Sequence, residues 1–243
     1  FPGITTKMLA KKAKYVMLAS FAAKKYFSDK SNVVITGNPI RKEIITELKE
    51  DARKKLGLDS RPVILSFGGS LGAQKINDAI IKLIKHTSKD DKYQHIHAYG
   101  QYSKDFINKL SLEGVNLKKH INLDIREYIK DMPTCLSVAD LVICRAGAIT
   151  LSELTAKGKP AILIPSPNVA ENHQYHNAME LVEKKAASII EEKDLTGEKL
   201  IHTVEDMIKD SDKLNEYNKN AKKLAILDSC DRIYKIILEV AGH

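Results

Sequence analysis

The sequence predicts a doubly wound α/β fold, a parallel sheet with helices on both faces. Three observations carry this. Residues 63–67, 141–144 and 161–164 are nearly continuous apolar runs, as expected of strands buried on both sides. Amphipathic stretches of helical period separate them. The loops that follow these runs are rich in Gly, Ala, Ser and Pro, the composition of turns at the carboxyl ends of strands.

In chain order, residues 5–27 read as a helix with Met8, Leu9, Ala13, Val16 and Met17 as its apolar stripe. Val33–Ile35 is a short strand stopped by Thr36-Gly37-Asn38-Pro39, and residues 41–56 read as one helix. After a polar break at 57–62, strand 63–67 leads through a glycine loop into a helix over 73–86. Strand 94–99, helix 103–110 and a short strand at 121–123 follow. Residues 128–139 read as helix broken around Pro133. Strand 141–144, helix 150–157 and strand 161–164 continue the alternation. Helix 173–185, an extended stretch at 187–190 and a mostly helical tail over 194–240 complete it.

Hydrophobic residues make up 43% of the 243 and charged residues 29%, the composition of an ordinary globular protein. No run reaches the ~18–20 apolar residues of a membrane span, and no signal-peptide pattern opens the chain. Cys135, Cys144 and Cys230 show no C-x-x-C spacing, so a disulfide framework and a zinc site are disfavoured and a reducing, cytoplasmic setting is expected. The chain opens on Phe1-Pro2-Gly3, which reads as a cut from something longer. Its net charge of +8 is confined to residues 1–55, which carry 13 basic and 5 acidic side chains; the remainder carries 26 of each. Such a segment is either a solvated helix face or a surface for an anionic partner. No aromatic platform accompanies it, so nucleic acid is not expected.

Three loops hold the candidate chemistry, all at positions where open parallel sheets bind ligands. In Gly68-Gly69-Ser70-Leu71-Gly72-Ala73, glycines let backbone approach a phosphate and the following helix start offers free N–H groups. The alternative is a tight strand-to-helix turn. Neither G-x-G-x-x-G nor a P-loop lysine is present. In the second loop, residues 145–153, small side chains leave room for a flat ring. Thr150 and Glu153 have the spacing of a capping box, or else Glu153 accepts the two hydroxyls of a ribose. The third, residues 164–174, is held by Pro165 and Pro167 and ends in Asn172, His173 and Gln174, a polar group suited to a sugar. His173 and His176 lack a third partner for a metal. Asp210-Ser211-Asp212 and Asp90-Asp91 read as surface breaks, and no nucleophile elbow is present.

These loops in this order, with Thr36-Gly37-Asn38-Pro39-Ile40-Arg41 ahead of them and Asn177-Ala178 behind, resemble the GT-B glycosyltransferases, more narrowly the MurG family. The resemblance covers the chain but only the later part of the family's length. It implies a Rossmann-like donor-binding domain at 36–227, preceded by a remnant of the acceptor and membrane domain at 1–35. A terminal helix at 228–243 would return toward that first domain. It also implies inverting transfer of N-acetylglucosamine from its UDP donor to the 4-hydroxyl of a lipid-linked muramoylpentapeptide, without a cofactor or protein-bound metal. Residue by residue it implies Arg41, Gly69, Ser70, Gly72 and Thr150 at the diphosphate, with Arg145 nearby. Ile129, Ala148 and Glu153 fall at the uridine, and Asn172, His173 and Gln174 at the sugar. It implies no catalytic base in this chain. Lys7, Lys11, Lys12 and Lys14 are expected to face the anionic inner leaflet of the cell membrane, the enzyme being peripheral there. The alternatives are a donor-binding module that needs a separate membrane partner, a glycolipid transferase, or a UDP-sugar epimerase.

Overall fold

A computed structural model describes residues 2–28 and 32–242. Phe1, where the chain's opening was read, lies outside them. The elements in order are α1 (Ile4–Leu9), β1 (Val16–Leu18), a 3₁₀ turn (Phe21–Tyr26), β2 (Val33–Ile35), α2 (Lys42–Thr46), α3 (Lys49–Leu56), β3 (Val63–Phe67) and α4 (Gln74–Thr87). Then come β4 (Gln94–Ala98), α5 (Phe106–Leu112), β5 (Leu123–Arg126), α6 (Met132–Val138), β6 (Leu141–Cys144), α7 (Ala148–Lys157) and β7 (Ala161–Leu163). The chain closes with α8 (His173–Val182), β8 (Ala187–Ile189), α9 (Gly197–Lys209), α10 (Ser211–Lys223) and α11 (Ser229–Ala241).

Six parallel strands form the main sheet in the order β5-β4-β3-β6-β7-β8. The strand pleat divides the core. Val63, Leu65, Val142 and Leu163 point into one apolar layer with Ile44, Leu136 and Leu154, whereas Ile64, Leu141, Ile143 and Ile162 point into the other with Ile76, Ile80 and Leu83. Each run is therefore buried on both faces, which is why it carries no polar alternation. The chain leaves β3 in one direction and later returns to β6 in the other, so a crevice opens at the carboxyl ends of these neighbours.

Several expected elements differ. The single helix over 5–27 is instead α1, strand β1 and a 3₁₀ turn, because Val16–Leu18 pairs in parallel with Val33–Ile35 as a separate two-stranded sheet. Long-range pairing overrides a weak helical stripe there. The helix over 41–56 breaks at Glu47 and Leu48, both in extended backbone. The third outer strand is Leu123–Arg126 rather than 121–123. Asn122 donates its side-chain amide to the Tyr93 carbonyl and accepts at its own carbonyl from His95, while Ile121 is 95% exposed. Pro133 does not break a helix but stands in the first turn of α6, where its missing N–H costs nothing.

The last helix lies against the first segment. Arg232 donates to the Ile35 carbonyl, Lys14 to that of Glu239, and Tyr15 bonds the Glu239 carboxylate.

Candidate functional site

The crevice is floored by the loop between β3 and α4. Only glycine fits where this loop meets the one after β4. A Cβ on Gly72, whose φ is +88°, would stand 2.2 Å from the Tyr99 carbonyl oxygen, and one on Gly100 would stand 2.1 Å from the Gly72 nitrogen. The two loops interlock through bonds from Gln101 and Tyr102 N–H to the carbonyls of Ser70 and Leu71. That turns the carbonyls away. Among the described residues nothing accepts from the N–H groups of Ser70, Leu71 and Ala73, and α4 starts without a side-chain cap. Free N–H groups at the positive end of a 14-residue helix are a geometry suited to an anion.

A cavity of about 390 Å³ lies over this loop, lined by Gly68, Gly72, Gln74, Lys75, Ser166, Gln174, Arg145 and Glu192. Sequence reading missed Lys75 and Glu192. The signal for Lys75 was available: it is a cation in the first turn of a helix, where the dipole opposes it. Glu192 offered no signal, since only the sheet order brings the end of β8 to this wall.

The second loop corrects the capping-box reading. Helix α7 starts at Ala148 with Gly147 as its cap, so Thr150 is already the third helical residue and caps nothing. Glu153 is free of that role. Its carboxylate lies 3.6 Å from the Arg41 guanidinium; burial raises its pKa above the ordinary value and Arg41 opposes the rise. Asn38 ties the turn ahead of Arg41 to α7, donating to Ser152 Oγ at 3.0 Å and to the Ala148 carbonyl at 3.4 Å. The Ile129 side chain is buried in the core, while its N–H and C=O make no hydrogen bond to described residues.

In the third loop Arg145 is a brace rather than a free cation beside a phosphate. It donates to the carbonyls of Ile164 and Pro165, both at 3.1 Å, and pairs with Glu192. Gln174 accepts from the Ser166 N–H at 3.0 Å. The three residues expected at a sugar therefore separate. Gln174 shares the cavity with the glycine loop. His173, bonded through Nδ1 to the Ala170 carbonyl, lines a second cleft of about 790 Å³ between the amino-terminal segment and α7, α8 and α10. Ala148 and Asn177 line that cleft too. Asn172, at φ +50°, is exposed and lines neither.

The four lysines do not share one helical face, because the helix expected to carry them is broken. Lys7 lies on α1, 3.9 Å from Glu171; Lys14 bonds the last helix; Lys11 and Lys12 are exposed in the turn between α1 and β1. No helix among the described residues is long and apolar enough to cross a membrane.

Comparison with known proteins gives this geometry a family. The model of the glycosyltransferase family 28 C-terminal domain matches residues 63–233. The chain is 45% identical over 241 residues to the UDP-N-acetylglucosamine–N-acetylmuramyl-(pentapeptide) pyrophosphoryl-undecaprenol N-acetylglucosamine transferase of Acetivibrio thermocellus, covering 99% of this chain and 64% of that one. It is 40% identical to the protein of the same name from Desulforamulus reducens, covering 99% of this chain and 65% of that one. Among solved structures it matches Acinetobacter baumannii MurG with a TM-score of 0.77 and 26% identity, over 98% of this chain and 64% of that one. A glycosyltransferase from Rickettsia africae, 16% identical at a TM-score of 0.60 over 99% of this chain and 68% of that one, shares the fold. The chain thus spans a little under two thirds of the length of the curated relatives it matches. A glycine loop with free N–H groups, an Arg–Glu pair and a braced polar loop around one crevice meet a family model over most of the chain: this protein belongs to glycosyltransferase family 28 and carries its C-terminal domain.

Proposed function

We propose that this chain is the donor-binding part of an inverting glycosyltransferase that moves N-acetylglucosamine from UDP-N-acetylglucosamine to the 4-hydroxyl of undecaprenyl-diphospho-muramoylpentapeptide. The observation that carries the reading is the glycine loop, which has free N–H groups and shares one cavity with Gln174 through Gly68, Gly72 and Ala73. The names of the relatives supply the sugar, the nucleotide and the acceptor.

In this reading the free N–H groups of the loop, that of Ser70 among them, hold the diphosphate with Arg41, while the Gly72 N–H is already bonded to the Gly69 carbonyl. The backbone of Ile129 and Ala148 holds the uracil, Glu153 accepts from the ribose hydroxyls, and Gln174 contacts the sugar, with His173 turned to the second cleft. Charge accumulates on the diphosphate as the acceptor hydroxyl attacks the anomeric carbon. Fixed N–H donors and the helix end therefore stabilise the transition state more than the ground state. Residues 36–227 form the donor domain, 1–35 the tail of an acceptor-facing domain, and 228–243 a helix returning to it. The exposed Lys11 and Lys12 contribute to attraction toward the inner leaflet of the membrane. Unchanged binding of a K11E/K12E variant to anionic vesicles would remove that contribution.

Calorimetric titration with UDP-N-acetylglucosamine, beside UDP-glucose and without added metal, tests the main reading. Micromolar binding selective for the N-acetyl sugar is expected. Equal affinity for both sugars would defeat the sugar assignment, and absence of binding to either would defeat the donor site.

A further inference from the structure

We propose that Glu192 is a positioning residue for the sugar end of this site, acting through Arg145 to set the loop that holds Gln174. The inference rests on the donor reading above. The loop after β7 has little support of its own. The last ladder bonds near it run from the Ile164 N–H to the Cys144 carbonyl and from the Ile190 N–H to the Leu163 carbonyl. Beyond them Pro165 and Pro167 have no N–H to donate. The next tie is the Ser166 N–H to Gln174 Oε1.

Arg145 bridges this gap. One nitrogen reaches the Ile164 and Pro165 carbonyls, and the other reaches Glu192 at the end of β8. Its planar fork holds acceptors on two strand ends at once, which a lysine cannot reproduce. Both side chains are largely enclosed, 17% and 13% exposed, so the pair is shielded from water and salt. Glu192 thereby does two things: it fixes the direction of the guanidinium, and it cancels a positive charge on the wall of an anion cavity.

These two effects act in opposite directions, which separates them from a general structural role. In Glu192→Ala the loop loosens and Arg145 becomes a free cation beside the diphosphate. UDP affinity is therefore held or increased, while the ratio of the UDP-N-acetylglucosamine dissociation constant to that of UDP rises by about 3- to 10-fold, the worth of one misaligned neutral hydrogen bond. Glu192→Gln, which keeps a hydrogen-bond acceptor but not the charge, gives an intermediate ratio.

The decisive pair of measurements is calorimetry with both nucleotides and hydrogen–deuterium exchange of residues 164–174 without nucleotide, on wild type and both variants. Faster exchange in this segment together with a selective loss of the sugar contribution is the expected result. Unchanged exchange, or equal weakening of UDP and UDP-N-acetylglucosamine, overturns the proposal. Wild-type chain that binds neither nucleotide overturns the donor reading and the sugar role with it, while exchange alone still decides whether Glu192 braces the loop.

Discussion

The two ends of the main sheet treat their polar groups oppositely. At the amino ends of the central strands β6 and β7 the charged groups are closed off. Asp140, just before β6, accepts from the Val63 N–H and pairs with Lys49 and Arg53; Lys159, just before β7, donates to the carbonyls of Ser137 and Ala139. At the carboxyl ends, N–H groups of the glycine loop have no acceptor among the described residues, and Glu153 has one distant cation. Satisfied networks hold a fold together, whereas groups left open at an accessible crevice are available to a ligand. Stability and binding are thus assigned to opposite ends, and substitutions should separate them.

The largest expected effect is at the closed end. Asp140→Ala strips three partners at once and should lower unfolding free energy by about 2–4 kcal/mol. Urea unfolding measures this, and the affinity of the remaining folded protein for UDP-N-acetylglucosamine should not change. A change in affinity without a loss of stability would reverse the comparison.

Glu153→Gln should do the converse. A charge-assisted pair of bonds to ribose is worth about 1.5–3 kcal/mol, roughly a 10- to 150-fold loss of donor affinity, with little change in stability. The pH dependence sharpens this. Because burial raises the folded pKa of Glu153, its ionised form destabilises the empty protein, and stability from this group is lost as pH rises through that pKa. Donor affinity runs the other way, falling as the carboxylate protonates, at a pH above the ordinary glutamate range. Affinity that is flat until the ordinary range is reached would refute the assignment.

Lys159 gives the most specific effect, one confined to alkaline pH. Burial lowers its pKa from 10.5 to about 7, so folding favours the neutral amine. Its contribution is present above pH 10.5 and is lost as pH falls toward 7, with a slope of at most about 1.4 kcal/mol per pH unit. Lys159→Met should flatten that part of the stability–pH curve and leave nucleotide binding untouched. An unchanged slope would mean that the ammonium is already well satisfied by its two carbonyls.

Local pattern alone determined the fold class, the strands β3, β4, β6 and β7 to within a residue, and the three loops, because continuous apolar runs and Gly–Pro punctuation are short-range signals. It also singled out Ser70, Glu153 and Gln174, whose residue types match the chemistry of their loops. Three things were decided only by tertiary structure. Val16–Leu18 became a strand because Val33–Ile35 was there to pair with it. Thr150 lost its capping role because α7 starts two residues earlier, at Ala148. Arg145 became a brace because the order of the sheet carries Glu192, 47 positions away, to the same wall. The strand and the brace each depend on a partner distant in sequence, and local periodicity holds no record of which distant groups will meet.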